Sequence, residues 1–248
     1  MNKSDREWVK RPSKKSELKK TEPKKTELKK SDNGWKPSFH NDSKPNFLKE
    51  AQGFLNKMTY TTFDALSDKF VEVANDNPNL LKQLIDKVFE QSLLQPAFCP
   101  MYAKLCLKLH RKIKVFRKEL LMKCQEEFVR GTQEPPSDLT DRERNIMRFK
   151  AKKRMLGNIK FIGELFKCNI LVIPVMYSCF DHLLEENDEE NIEGLCKLLT
   201  NVGKIMDQKV KSKMDNYFDK LNQTKTEVSN RIRFMIEDLN DLRKKDWN

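Results

Sequence analysis

The sequence predicts an all-α fold, a stack of antiparallel helix pairs preceded by a disordered basic tail. Three observations carry this. Glycine is scarce, 7 in 248 residues, which argues against a turn-rich β protein. From Phe47 onward apolar residues recur at steps of three and four, resolving into ten amphipathic segments. These are approximately 47–58, 61–75, 79–95, 98–112, 116–130, 141–168, 171–186, 189–206, 209–225 and 228–246. Finally, the segments group as five pairs starting near 47, 79, 116, 170 and 209, mostly 32 to 40 residues apart. That period suits stacked helical hairpins of the HEAT kind, each burying one face on its neighbour. The expected organisation is a tail over 1–46 and a solenoid over 47–248.

The tail carries four five-residue units between Lys14 and Asn33: KKSEL, KKTEP, KKTEL and KKSDN. A period of five fits neither helix nor strand, and the composition cannot bury a core, so disorder is expected. The tail holds 14 Lys and Arg against 7 Asp and Glu, so it supplies +7 of the net charge of +12. Such a tail either solubilises the chain or makes salt-sensitive, sequence-blind contacts with RNA phosphates. At its end stands Trp35-Lys36-Pro37-Ser38. A tryptophan with no local core to join either folds back or enters a partner's pocket.

Several helix starts are written locally. Thr140 followed by Glu143 is a capping box, and Asn187 with Glu190 is a second expected cap. Pro78 and Pro100 stand at helix openings, where a missing N–H costs nothing. Pro174 predicts a first turn or a kink. The stretch 131–137, with Pro135 and Pro136, is a loop. In the segment 141–168, Leu156 to Phe166 places Leu156, Ile159, Phe161, Ile162, Leu165 and Phe166 mostly on one face. Gly157 and Gly163 lie inside it and each costs about 1 kcal/mol relative to alanine, which a close helix–helix approach would offset. Asn158, Lys160 and Glu164 are expected to form an exposed polar edge.

No catalytic constellation emerges, so the chain is expected not to be an enzyme and to need no cofactor. The six cysteines, at 99, 106, 124, 168, 179 and 196, lie in apolar helical stretches without a C-x-x-C pair. They read as buried side chains in a reducing compartment. Cys106 and His110 share a helix face, but two ligands do not make a zinc site. No apolar run is long enough to span a bilayer and none opens the chain, so a cytoplasmic protein is expected. The net charge of +12 favours an anionic partner. Two basic clusters stand out: Lys108, Arg111 and Lys112, and Lys150, Lys152, Lys153 and Arg154. Either is a solvated helix face or an RNA contact through phosphates, with no aromatic stacking platform visible beside it.

Five blocks carry a resemblance. They are Trp35 to Ser38; Phe54-Leu55-Asn56-Lys57-Met58-Thr59 with Phe63; the Leu156–Phe166 stretch with Cys168; Leu195 to Thr200 with Gly203-Lys204; and Ser229 to Arg243. Together they resemble the middle domain of the eukaryotic translation initiation factor 4 gamma family. The resemblance implies a five-pair HEAT solenoid that binds and activates the DEAD-box RNA helicase initiation factor 4A and helps anchor it on mRNA. It implies helicase contacts at Trp35, Leu55, Met58 and Phe63 at one end. At the other it points to the outward residues of the last helix, Arg231, Arg233, Glu237 and Asp238. Initiation factor 3 is a further implied partner. The tail lacks the Tyr-x-x-x-x-Leu-hydrophobic peptide by which the family holds the cap-binding protein, and this sequence does not include the family's later HEAT domains, so a minimal scaffold, or a shortened form, that does not tether the cap by the usual route is expected. Two other readings share these features: a general RNA-binding adaptor, and an inhibitor that sequesters the helicase.

Overall fold

A computed structural model of the chain describes residues 46–130, 136, 138–185 and 188–248. Among them are nine α-helices and no strands: α1 (Phe47–Lys57), α2 (Phe63–Asp76), α3 (Leu81–Leu94), α4 (Cys99–Lys112), α5 (Phe116–Arg130), α6 (Asp141–Lys167), α7 (Ile173–Glu185), α8 (Glu189–Gln223) and α9 (Asn230–Lys244). The Lys repeats, Trp35 and most of the predicted 131–137 loop lie outside the described residues.

The expected ten segments become nine helices because 189–206 and 209–225 run together as α8. No glycine or proline separates them, and Asp207-Gln208-Lys209 can continue a helix. A break survives at Val210, whose φ of −148° and ψ of 44° are not helical. The pairing is otherwise the expected one: α1 with α2, α3 with α4, α5 with α6, α7 with α8, and α8 with α9. Neighbouring pairs stack through α1, α3 and α5 in one layer and through α2, α4, α6 and α8 in the other. This is the HEAT-like arrangement.

The helix ends show why the chain turns where it does. Thr140 caps α6: its hydroxyl accepts from the Glu143 N–H while its own N–H donates to the Glu143 carboxylate at 3.0 Å. The cap of α8 is Asp188, which accepts from the Asn191 N–H at 2.7 Å; the expected cap Asn187 is outside the described residues. Pro78 opens a 3-10 turn that leads into α3, and Pro100 and Pro174 sit in the first turns of α4 and α7. Helix α6 ends in a Schellman motif. Asn169 takes a φ of 59° and donates to the Phe166 carbonyl, while Ile170 donates to the Leu165 carbonyl at 3.0 Å and buries its side chain. Asp246 and Trp247 close α9 the same way, on the carbonyls of Arg243 and Leu242.

The second half of α6 is the axis of the core. It packs against α3, α4, α5 and α8. Phe161 is fully buried and meets Phe89 edge to face at 5.6 Å. Both glycines are contact points, as expected. A Cβ at Gly157 would lie 3.0 Å from Leu93 Cδ2, and one at Gly163 would lie 2.3 Å from Asn201 Nδ2. The expected exposed polar edge is not there. Asn158 is buried and donates to the Cys124 carbonyl, and Glu164 is buried with its carboxylate paired to Lys167; only Lys160 is exposed. Periodicity identifies one apolar face, but four neighbouring helices enclose this stretch, so its short polar residues are covered too.

Candidate functional site

Helix α9 presents an outward face built on a buried one. Ile232, Ile236 and Leu239 are buried, which turns Arg231, Phe234 and Asp238 outward with Arg233 and Glu237 at the edge. Phe234 is 56% exposed at the centre of this face, with Arg231 three residues before it and Asp238 four after. The Arg233 guanidinium lies 5.3 Å from the Phe234 ring and 3.9 Å from the Glu237 carboxylate. An apolar ring framed by charges of both signs has the composition of protein-docking surfaces more than of nucleic-acid ones. The sequence reading passed over Phe234. Its position three residues after Arg231 and four before Asp238, off the Ile232–Ile236–Leu239 stripe, was the available signal.

The face is held from behind by a charge node. Arg231 Nη2 donates to Glu193 at 2.7 Å, Lys197 Nζ lies 2.7 Å from the same carboxylate and Lys152 Nζ 3.0 Å. One buried carboxylate thus ties α9 and α8 to α6. Burial pushes Glu193 up, but the hydrogen bonds from Arg231, Lys197 and Lys152 outweigh it and lower its pKa to about 2. The last tryptophan braces the other end of α9. Trp247 Nε1 donates to Asp207 at 2.8 Å, and its ring covers Gly203, where a Cβ would lie 1.9 Å from Cη2. Arg243 holds Asp207 and Asp215 beside it.

At the opposite end the sequence-predicted residues separate by depth. Leu55 and Met58 are core, 1% and 3% exposed. Phe63 is half-buried beneath Lys108, whose Nζ lies 5.2 Å from the ring. What this end exposes is the α1–α2 turn with Tyr60, whose ring packs on Phe98. Trp35 is outside the described residues.

The two basic clusters divide in the same way. Lys108 is bound to Asp68 at 2.8 Å and to Ser67, Lys152 to Glu193, and Arg154 to Glu90 and Glu127. Arg111, Lys112, Lys150 and Lys153 are exposed. An aromatic ring does stand in the second cluster: Phe149 is 70% exposed beside Lys150. Its flanking Arg148 and Lys150 were the sequence signal for that exposure. The expectation of no stacking platform is therefore corrected.

An apolar cavity of about 460 Å3 is lined by Cys124, Phe128, Cys179 and His182. Burial pushes the Cys124 thiol well up and that of Cys179 up to about 12, so neither is a nucleophile near neutral pH. Among the described residues no helix is long and apolar enough to cross a membrane.

Comparison with known proteins agrees with this architecture. The MIF4G domain family model matches residues 48–246. Eukaryotic translation initiation factor 4G of Triticum aestivum is 40% identical over 225 residues, covering 80% of this chain and 15% of that protein. Eukaryotic translation initiation factor 4 gamma 3 of Homo sapiens is 35% identical over 257 residues, covering 88% of this chain and 16% of that protein. The chain thus spans only about a sixth of the length of the curated relatives it matches. The crystal structure of the MIF4G domain of Trypanosoma cruzi translation initiation factor EIF4G5 superposes with a TM-score of 0.55 at 18% identity, over 81% of this chain and 96% of that one. The chain belongs to the MIF4G domain family, and residues 48–246 form a middle domain of the translation initiation factor 4 gamma type.

Proposed function

We propose that this domain is a translation initiation scaffold that binds the DEAD-box RNA helicase initiation factor 4A, activates it and helps anchor it on mRNA. The observation that carries the reading is the α9 face, where Phe234 stands exposed among Arg231, Arg233, Glu237 and Asp238. Such a centre supplies an apolar anchor, and its charges select a partner of complementary sign. The α1–α2 turn, with Tyr60 exposed, offers a second contact at the other end of the stack, and the resemblance adds Trp35 to the partner contacts.

The domain has no bond-making step to perform. Two separated contacts on a two-lobed enzyme favour whichever lobe arrangement satisfies both. Activation is then a population shift limited by the difference in contact energy between the open and half-open states. Leu55 and Met58, being core, act by holding the α1–α2 turn rather than by touching the partner. Calorimetric titration of the cognate helicase tests the reading. Phe234→Ala is expected to weaken binding about 30-fold, the size of a central aromatic anchor. Unchanged affinity would rule out the α9 face. Tight binding that lowers translation in an extract would mean sequestration instead.

A further inference from the structure

The first half of α6 stands out from the stack. From Asp141 to Lys150 every residue but Arg144 is exposed. Arg142, Ile146, Phe149, Lys150 and Lys153 fall at steps of three and four, so they share one face that rises about 16 Å along the helix. All five are exposed, Ile146 at 46% and Phe149 at 70%. Between Asp141 and Arg154 there are seven cations and two carboxylates. Both carboxylates are engaged: Glu143 folds back on Thr140 in the capping box, and Asp141 pairs with Arg144. Lys152 and Arg154 turn inward to Glu193, Glu90 and Glu127. What faces outward is an aromatic ring with Lys150 and Lys153 on one side and Arg142 two turns before it.

We propose that this face is a single-strand RNA contact in which Phe149 stacks on a base while Arg142, Lys150 and Lys153 hold the flanking phosphates. Every base has a π-face, so a ring between cations binds single strands without reading sequence. A duplex offers the cations its phosphates but gives the ring no free base face. A membrane is the weaker occupant, because Ile146 and Phe149 alone give little apolar area to bury. An acidic protein groove would engage the cations but would treat Phe149 as any apolar group.

The inference rests on the mRNA-anchoring part of the proposed function and is independent of the α9 face. It is tested on the full chain by fluorescence anisotropy with a labelled 12-nucleotide oligo(U) and a 12-base-pair RNA duplex. Phe149→Leu keeps apolar bulk and removes the π-face. It is expected to weaken oligo(U) binding about tenfold, to leave duplex binding within twofold, and to leave the salt slope unchanged. Phe149→Trp should restore oligo(U) affinity. Lys150→Gln with Lys153→Gln should instead flatten the slope of log affinity against log salt by about 0.7 per residue. Wild-type oligo(U) affinity in Phe149→Leu, or equal losses on oligo(U) and duplex, would overturn the proposal. The helicase titration with Phe234→Ala would be untouched by that failure, so the two readings fail separately.

Discussion

The two halves of α6 are one continuous helix with opposite surroundings. Asp141 to Lys150 is exposed on nearly all sides, whereas Met155 to Phe166 is buried apart from Lys160 and the half-buried Leu156 and Gly157. The sequences explain the difference. Asp141 to Lys150 carries four cations, Arg142, Arg144, Arg148 and Lys150, which could not be enclosed without a partner for each, whereas Lys152 and Arg154, nearer the core, pair with the buried carboxylates of Glu193 and Glu127. In the second half the cations thin out, two glycines let α3 and α8 approach, and large apolar residues fill the space between. One half is therefore free to meet ligands, while the other sets the stability of the fold.

This contrast can be broken from either side. The largest effect is expected in the buried half. Phe161→Ala should destabilise by about 4 kcal/mol through the lost contact with Phe89 and the cavity it leaves, read as the denaturation midpoint. Next comes the node that joins the halves. Glu193→Gln leaves Lys152, Lys197 and Arg231 without their shared carboxylate. Breaking a buried pair can cost 3–5 kcal/mol, but Arg231 and Lys197 are about half exposed, so about 2 kcal/mol is expected.

The same node predicts a pH dependence. The Glu193 carboxyl sits at about 2 in the folded protein, below its ordinary value near 4.5. Its contribution is complete above about pH 4.5 and is lost as pH falls toward 2. Glu127, lowered by Arg154 and Lys123 against the upward push of burial, acts in the same direction. Thermal melts of wild type should fall more steeply over this window than those of Glu193→Gln. Gly163→Ala is expected to cost about 1 kcal/mol, because the Asn201 side chain can swing away but gives up its contact with Lys167. Last, Phe149→Ala should change stability by less than about 0.5 kcal/mol, as for an exposed residue outside the core. A large loss there would mean that the first half of α6 is not a free surface.

Much of this was legible in the sequence, and the rest fails for identifiable reasons. The stacking order, the Thr140–Glu143 box, the helix-opening prolines and the close contacts at Gly157 and Gly163 all follow from local chemistry and spacing. The fate of Asn158 and Glu164 did not, because a local pattern reveals which face is apolar but not how many neighbours arrive. Leu55 and Met58 show the reverse error. Singled out by resemblance alone, they lie in the core, and the exposed large hydrophobic side chain of the α1–α2 turn is Tyr60. Phe149 and Phe234 were passed over because phenylalanine is read by default as core, although both interrupt charged helix faces. Trp35 lies outside the described residues, so its part in any contact is carried by the resemblance alone.

The most direct test of the scaffold reading is the RNA-stimulated ATPase rate of the cognate helicase, measured with wild-type protein and with Phe234→Ala. The account predicts a several-fold stimulation by wild type that Phe234→Ala loses while its melting temperature is unchanged. Equal stimulation by both proteins, or none by either, would contradict it.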